Sequence, residues 1–589
     1  MSDSRDAGKE RGIRSVEVER VLREEAGSDP TPARIQELAM TYVERGDADS
    51  RVDQRAALGA YATAVGMFEW LRARLGEGFT PDLEGRLARV HVKSCAMLGD
   101  MGDVAGALAA CDRAIAIWES MRERLGTEGF TAGMEDGLAS AYRNRGFYLG
   151  RQGDRTEALA ACDRAIAMWE AMRERLGTEG FTASMEDRLA SAYLNRGFYL
   201  SRQGDRTEAL AANDRAIAIW ESMRERLGTE GFTAGMEDRL ASAYRSRGFY
   251  LSGQGDCTEA LAACDRAIVI WEAMRERLGT EGFTVGMEDR LASAYLNRGN
   301  RLDEQGDHTE ALAANDRAIA MWKAMQERLG TEGFTVGMED GLASAYRNRG
   351  FYLGEQGDRT EALVACDRAI VMWEAMRERL GEEGFTADME DGLASAYRSR
   401  AFDLGKQGDH TEALVACDRA IAIWESMRER LGTEGFTVGM EDGLASAYRS
   451  RAFYLGKQGD HTEALVACDR AIAIWEAMRE RLGTEGFTVD MEDGLASAYR
   501  IRGFYLGEQG DHTEALAAND RAIAIWEAMR ERQGSNFTPG MADNLGLAYL
   551  NRGIELRLTG KVLRSLVSQV RGTFLIKDRE LLSKFWQIR

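Results

Sequence analysis

Apolar positions along this chain alternate between two helical stripes. In residues 155–176, Ala158, Cys162, Ala165, Trp169, Met172 and Leu176 recur at steps of four and three, which is one face of an amphipathic helix. In the next stretch Met185, Leu189, Tyr193, Gly197 and Leu200 form a second such face. The punctuation between stripes agrees with two helices. Asp154 precedes the 155–176 stripe as an N-cap, with Glu157 placed to reach back to the cap's N–H. Leu176-Gly177 ends it, glycine being free to take the left-handed conformation. Thr182 caps the following helix. The same motif reads Thr80-Pro81 and Thr538-Pro539 elsewhere, with proline at the first helical position that tolerates it.

The pattern repeats. Tryptophans stand at 118, 169, 220, 271, 322, 373, 424, 475 and 526, every 51 residues, in nearly identical text. A degenerate copy with Met67 and Trp70 comes first, and a partial one follows at 541–589. Neither helix of a unit buries its stripe alone, so neighbouring units must stack on one another. The predicted fold is an all-α solenoid. The predicted organisation is a polar, partly disordered segment over 1–32, a degenerate repeat over 33–80, nine helix pairs over 81–540, and a partial repeat with a basic capping segment over 541–589.

The text resembles the tetratricopeptide repeat. With Gly153 at place 15 of that family's 34-residue unit, Tyr142 falls at place 4, Gly146 at 8, Leu149 at 11, Ala158 at 20, Cys162 at 24 and Ala165 at 27. The N-R-G and G-D-x-x-E-A-L strings are typical of the family's bacterial members. Two places depart from it: Glu170 stands where the family has proline, and Arg145 where it often has leucine. The resemblance implies a right-handed superhelix of antiparallel helix pairs, with the first helix of each pair lining the concave face through places 2, 5, 9, 12 and 13. On this chain that maps partner binding to Arg143, Phe147, Arg245, Phe249, Asn300, Glu304, Arg347, Phe351, Arg398, Phe402, Arg449, Phe453, Arg500 and Phe504.

Composition narrows the function further. A net charge of −21 argues against a general nucleic-acid binder, although residues from 556 onward carry eight Lys or Arg against Asp578 and Glu580. No apolar leader and no run long enough for a membrane span is visible. Cys111, Cys162, Cys264, Cys366, Cys417 and Cys468 share one register, about 10 Å apart from copy to copy, too far for disulfides. All eight cysteines are therefore expected to be reduced, which suits a cytoplasmic protein. His308, His410, His461 and His512 form a similar ladder, read as solvated helix starts rather than metal ligands. The Met-Glu-Asp segments complement helix dipoles, and the tryptophans read as core. No catalytic, cofactor or metal-binding constellation emerges, and no enzyme is expected.

An arginine and phenylalanine ladder suits an extended protein or peptide segment with acidic and apolar side chains. The function expected is a non-catalytic adaptor. The alternatives are an architectural spacer or self-associating rod, and the regulatory subunit of a bacterial effector such as a protease or nuclease. The copy with Asn300, Arg301, Asp303 and Glu304 breaks the Phe-Tyr pattern and is the expected specificity-setting unit or a point where the superhelix changes pitch. Phe574, Leu575, Ile576, Leu581, Leu582, Phe585 and Trp586 are expected to cap the last stripe or to dock a partner.

Overall fold

Twenty-two α-helices and no strands make up the described residues of the computed structural model, which are 20–21, 24, 31–50, 52–534, 537–578 and 582. The chain is an all-α solenoid of helix pairs, divided into two units, Met1–Asn297 and Arg298–Arg589. In the first unit the pairs run from Pro32–Asp49 with Gln54–Leu75 to Ala234–Ser252 with Cys257–Gly282. In the second they run from Val336–Gln356 with Arg359–Gly384 to Pro539–Leu558 with Val562–Leu575, after the lone second helix His308–Gly333. Within each unit every helix packs on its neighbours in sequence, and successive first helices also touch. Most of the 1–32 segment, and Leu581, Phe585 and Trp586 of the tail, lie outside the described residues.

The expected punctuation is present. The Glu157 N–H donates to Asp154 Oδ1 at 3.1 Å, and the Met185 N–H to Thr182 Oγ1 at 3.3 Å. Glu157 does not close a capping box. Its carboxylate lies 3.5 Å from Arg145, whose charge offers a stronger partner than the cap's N–H. Gly177 turns the chain at φ 64°, ψ −171°, and its carbonyl accepts the Phe181 N–H at 3.0 Å, so each long helix ends in a glycine joint.

The core is built from repeated contacts. The nine tryptophans of the 51-residue series are at most 1% exposed. Gly197 lies so close to the second helix that a Cβ there would meet the Ala209 carbonyl oxygen at 2.9 Å. Glu170, at the place where proline would end the helix, accepts a hydrogen bond from the Tyr193 hydroxyl of the next first helix.

Two expectations are corrected here. Cys95 and Cys111 form a disulfide, with Cα atoms 5.9 Å apart. The ladder argument considered one register, but Cys95 occupies the glycine place on the facing helix, next to the ladder cysteine of its own copy. The other six cysteines form no disulfide. The histidines are not simply solvated. His410 and His461 stack on Tyr454 and Tyr505 with ring centroids 5.9 and 5.3 Å apart, and His512 Nδ1 lies 2.8 Å from the buried Glu555. Each helix start abuts the following copy, which brings an aromatic or acidic partner to the imidazole.

Candidate functional site

Within each unit the first helices carry the arginine and phenylalanine series four residues apart, on one side of each helix. Phe147 and Phe249 of the first unit and Phe351, Phe402 and Phe453 of the second are exposed, although large aromatics usually bury themselves in cores. Phe504 is half-buried, edge-on to Tyr505 at 5.4 Å. The arginines stand four residues before these rings on the same helices. Arg143 and Arg347 donate to the Asn144 and Asn348 side-chain oxygens, both at 2.9 Å. The Arg449 guanidinium lies 5.8 Å from the Trp475 ring centroid. Burial pushes the Arg143 guanidinium down to about 10, helped by the like charges of Arg188 and Arg239. Burial likewise lowers Arg245, Arg347, Arg449 and Arg500.

The partners of these arginines differ from those of their neighbours. Two residues further along each helix, Arg349, Arg400, Arg451 and Arg502 hold Asp316, Asp367, Asp418 and Asp469 at 3.0, 2.8, 2.7 and 2.7 Å. Among the described residues no carboxylate lies within ion-pair distance of Arg347, Arg398, Arg449 or Arg500. Asp391, Asp442 and Asp493 are near enough to favour the guanidinium charges but do not bond them. The buried Nε of Arg500, like that of Arg245, has no hydrogen-bond acceptor. A desolvated cation without a counter-ion is costly, and a bound carboxylate would relieve that cost.

The second unit draws Phe351, Arg398, Phe402 and Arg449 around one cavity of about 220 Å³. The break at Asn300 is different. Its side-chain oxygen accepts from Asn348 Nδ2 at 2.7 Å and from the Tyr352 hydroxyl at 3.2 Å, while Glu304 pairs with Arg301 at 2.9 Å. That copy is thus tied to its neighbour through Asn300.

The acidic first turns also have structural partners. Asp136, Asp187, Asp340 and Asp391 accept the indole N–H of Trp169, Trp220, Trp373 and Trp424 at 2.7–3.0 Å. No group of three metal-ligating side chains occurs among the described residues. His91, buried and pushed down to about 4 by desolvation, is a neutral core residue.

Asp403 was not singled out from the sequence. It stands where Tyr352, Tyr454 and Tyr505 stand in other copies, is buried, and holds Arg359 Nη1 at 2.9 Å. Comparing A-F-D-L-G at 401–405 with A-F-Y-L-G at 452–456 would have revealed it. In the tail, Ile576 is buried against Gly546, whereas Phe574 is 85% exposed.

Stacked helix pairs with an exposed ladder on their first helices define a repeat scaffold. Residues 138–172, 189–223, 291–325, 342–376, 393–427 and 444–478 match the model of the tetratricopeptide-repeat family. The chain is a tetratricopeptide-repeat protein, and such arrays are in general non-catalytic scaffolds for protein interaction. A search of the curated proteins found no match. Among solved structures, the chain is similar to BtubC (BKLC) from P. vanneervenii, at 17% identity and TM-score 0.35, over 47% of this chain and 93% of that one. It is similar to the apo form of RapI at 11% identity and TM-score 0.46, over 76% and 99%. It is also similar to a Rap protein complexed with competence and sporulation factor at 14% identity and TM-score 0.40, over 76% and 99%. No described helix is long and apolar enough to cross a membrane.

Proposed function

We propose that this chain is an adaptor that docks an extended, acidic and apolar segment of a partner protein along the first-helix face of its second unit. The observation that carries the reading is the row Arg347, Arg398, Arg449 and Arg500, four cations without carboxylates in a chain whose neighbouring arginines are paired, and all but the exposed Arg398 are partly desolvated. Carboxylates on the partner would satisfy their fork-shaped donors, and the exposed phenylalanines would supply rigid apolar contact between them.

The test is fluorescence anisotropy with a fluorescein-labelled peptide of alternating Asp, Glu and Leu. Binding is expected to weaken with salt. It is expected to fall at least tenfold, about 1.4 kcal/mol, on Arg398→Glu and in the triple variant Phe351→Ala, Phe402→Ala, Phe453→Ala. Affinity unchanged by these substitutions, or no binding to the native chain, would refute the reading.

A further inference from the structure

In most copies a buried tyrosine follows the exposed phenylalanine and lays its ring over a small residue of the preceding first helix. A Cβ added to Gly405 or Gly456 would run into the ring of Tyr454 or Tyr505. The Tyr454 hydroxyl then donates to the Ala401 carbonyl at 2.9 Å, which closes the face between the two copies. At residue 403 the tyrosine is replaced by aspartate. What meets Gly354 is the Asp403 carboxylate and the Arg359 guanidinium, at 2.9 and 3.1 Å from a built Cβ. The missing ring coincides with an opening. The cavity of about 220 Å³ is lined by Phe351, Gly354, Arg398, Phe402, Asp403 and Arg449.

We infer that this cavity is a seat for one aromatic side chain of the docked segment, flanked in that segment by carboxylates. The inference rests on the adaptor reading and adds the residue class that the second unit selects. An apolar cavity of about 150 Å³ holds a benzene ring, so the space suffices for a phenyl or phenol group. Phe351 and Phe402 supply walls against which a third ring packs edge-on or offset. The charges select what flanks the ring. Asp403 is held by Arg359, and Glu355 at the edge is outnumbered by Arg398 and Arg449. A basic side chain is a poorer occupant, because the Phe402 ring already faces Arg359 at 5.4 Å and Lys406 at 5.2 Å.

The variant that isolates this claim is Asp403→Tyr. It restores the residue of most other copies, and Arg359 would then share its register with a tyrosine as Arg155 does with Tyr199 and Arg206 with Tyr250, 44 residues along. The chain already folds with that combination twice. Two labelled peptides are compared on the full-length chain, both of Asp and Glu, one with a single central Phe and one with Ala in its place. The native chain is expected to bind the Phe peptide roughly tenfold more tightly. Asp403→Tyr is expected to bind both peptides as the native chain binds the Ala peptide, and Arg398→Glu to weaken both. Equal affinity of the native chain for the two peptides, or a Phe preference that survives Asp403→Tyr, overturns the aromatic seat while leaving the adaptor reading standing. Failure of the native chain to bind either peptide overturns the adaptor reading and the seat with it.

Discussion

At one place in the repeat the first unit carries arginine and the second carries glycine. Arg188, Arg239 and Arg290 of the first unit reach back to the preceding copy and bond Asp136, Asp187 and Asp238. Each of those aspartates thus holds both an indole N–H and a guanidinium. In the second unit the place is Gly341, Gly392, Gly443 and Gly494, and the tryptophan of the preceding second helix packs against it so closely that a Cβ on Gly392 would lie 2.7 Å from Trp373 Cζ2. There Asp340 and Asp391 keep the indole bond alone, and burial raises both carboxyls above the usual range. The first unit ties its copies together through Arg188, Arg239 and Arg290. The other has glycine at that place and no such cross-link, and its tryptophans fill the space instead. Gly137 is the first unit's exception. The copy before it has Gly85 where the others have aspartate, and the buried Trp118 Nε1 is left without an acceptor.

The largest effects should come from the tryptophans. Trp424→Ala is expected to destabilise its region by about 4–5 kcal/mol and Trp220→Ala by about 3–4 kcal/mol. Both lose the same ring, but Asp187 retains Arg239 whereas Asp391 loses its one hydrogen bond. Hydrogen exchange read peptide by peptide is the suitable measurement, because a long array need not unfold in one step. Equal losses would show that the Arg239 cross-link contributes nothing.

Asparagine at the two aspartates should separate the units by sign. Asp187→Asn keeps the acceptor for Trp220 but removes the charge facing Arg239, a loss of about 1–2 kcal/mol. Asp391→Asn keeps the acceptor for Trp424 and removes a half-buried charge with no ion pair, so the second unit should be unchanged or more stable at neutral pH, by about 1 kcal/mol or less. Losses of the same sign and size would break the comparison.

The smallest effect is a dependence on pH. The folded Asp391 carboxyl binds its proton more tightly than the unfolded one. Between the ordinary carboxylate value and the raised one the folded state therefore holds more protons, and stability falls as pH rises through that interval. The advantage of Asp391→Asn should accordingly shrink to nothing as pH is lowered into the ordinary carboxylate range. An advantage that grows with acid would reverse the assigned cause.

Much of this architecture is readable in the sequence, because a 51-residue period states the same instructions again and again. Thr182, Asp154 and Gly177 identify both helices and the joint, and the tryptophan series identifies the core. What the sequence left hidden lies where different helices meet. Asp403, the histidine stacks and the Cys95–Cys111 bond each join a residue to one about 16 or 44 positions away, and stripe analysis of a single helix does not register such pairs. The contacts of Asn300 were hidden for the same reason. Its departure from the pattern is absorbed by Asn348 and Tyr352 of the next copy.

The glycine joints bear on how such a chain changes length. In the last copy the connector is one residue shorter, yet the Tyr549 hydroxyl still reaches Glu527, 22 positions back, as Tyr499 reaches Glu476, 23 back. The joint absorbs the deletion and leaves the flanking helices in phase. Unequal exchange between near-identical stretches of the gene would insert or remove a whole cassette with both of its mating faces intact. The length of the array is thus free to drift by cassettes, and the one-ring opening at residue 403 can be carried nearer to or farther from either end without being rebuilt.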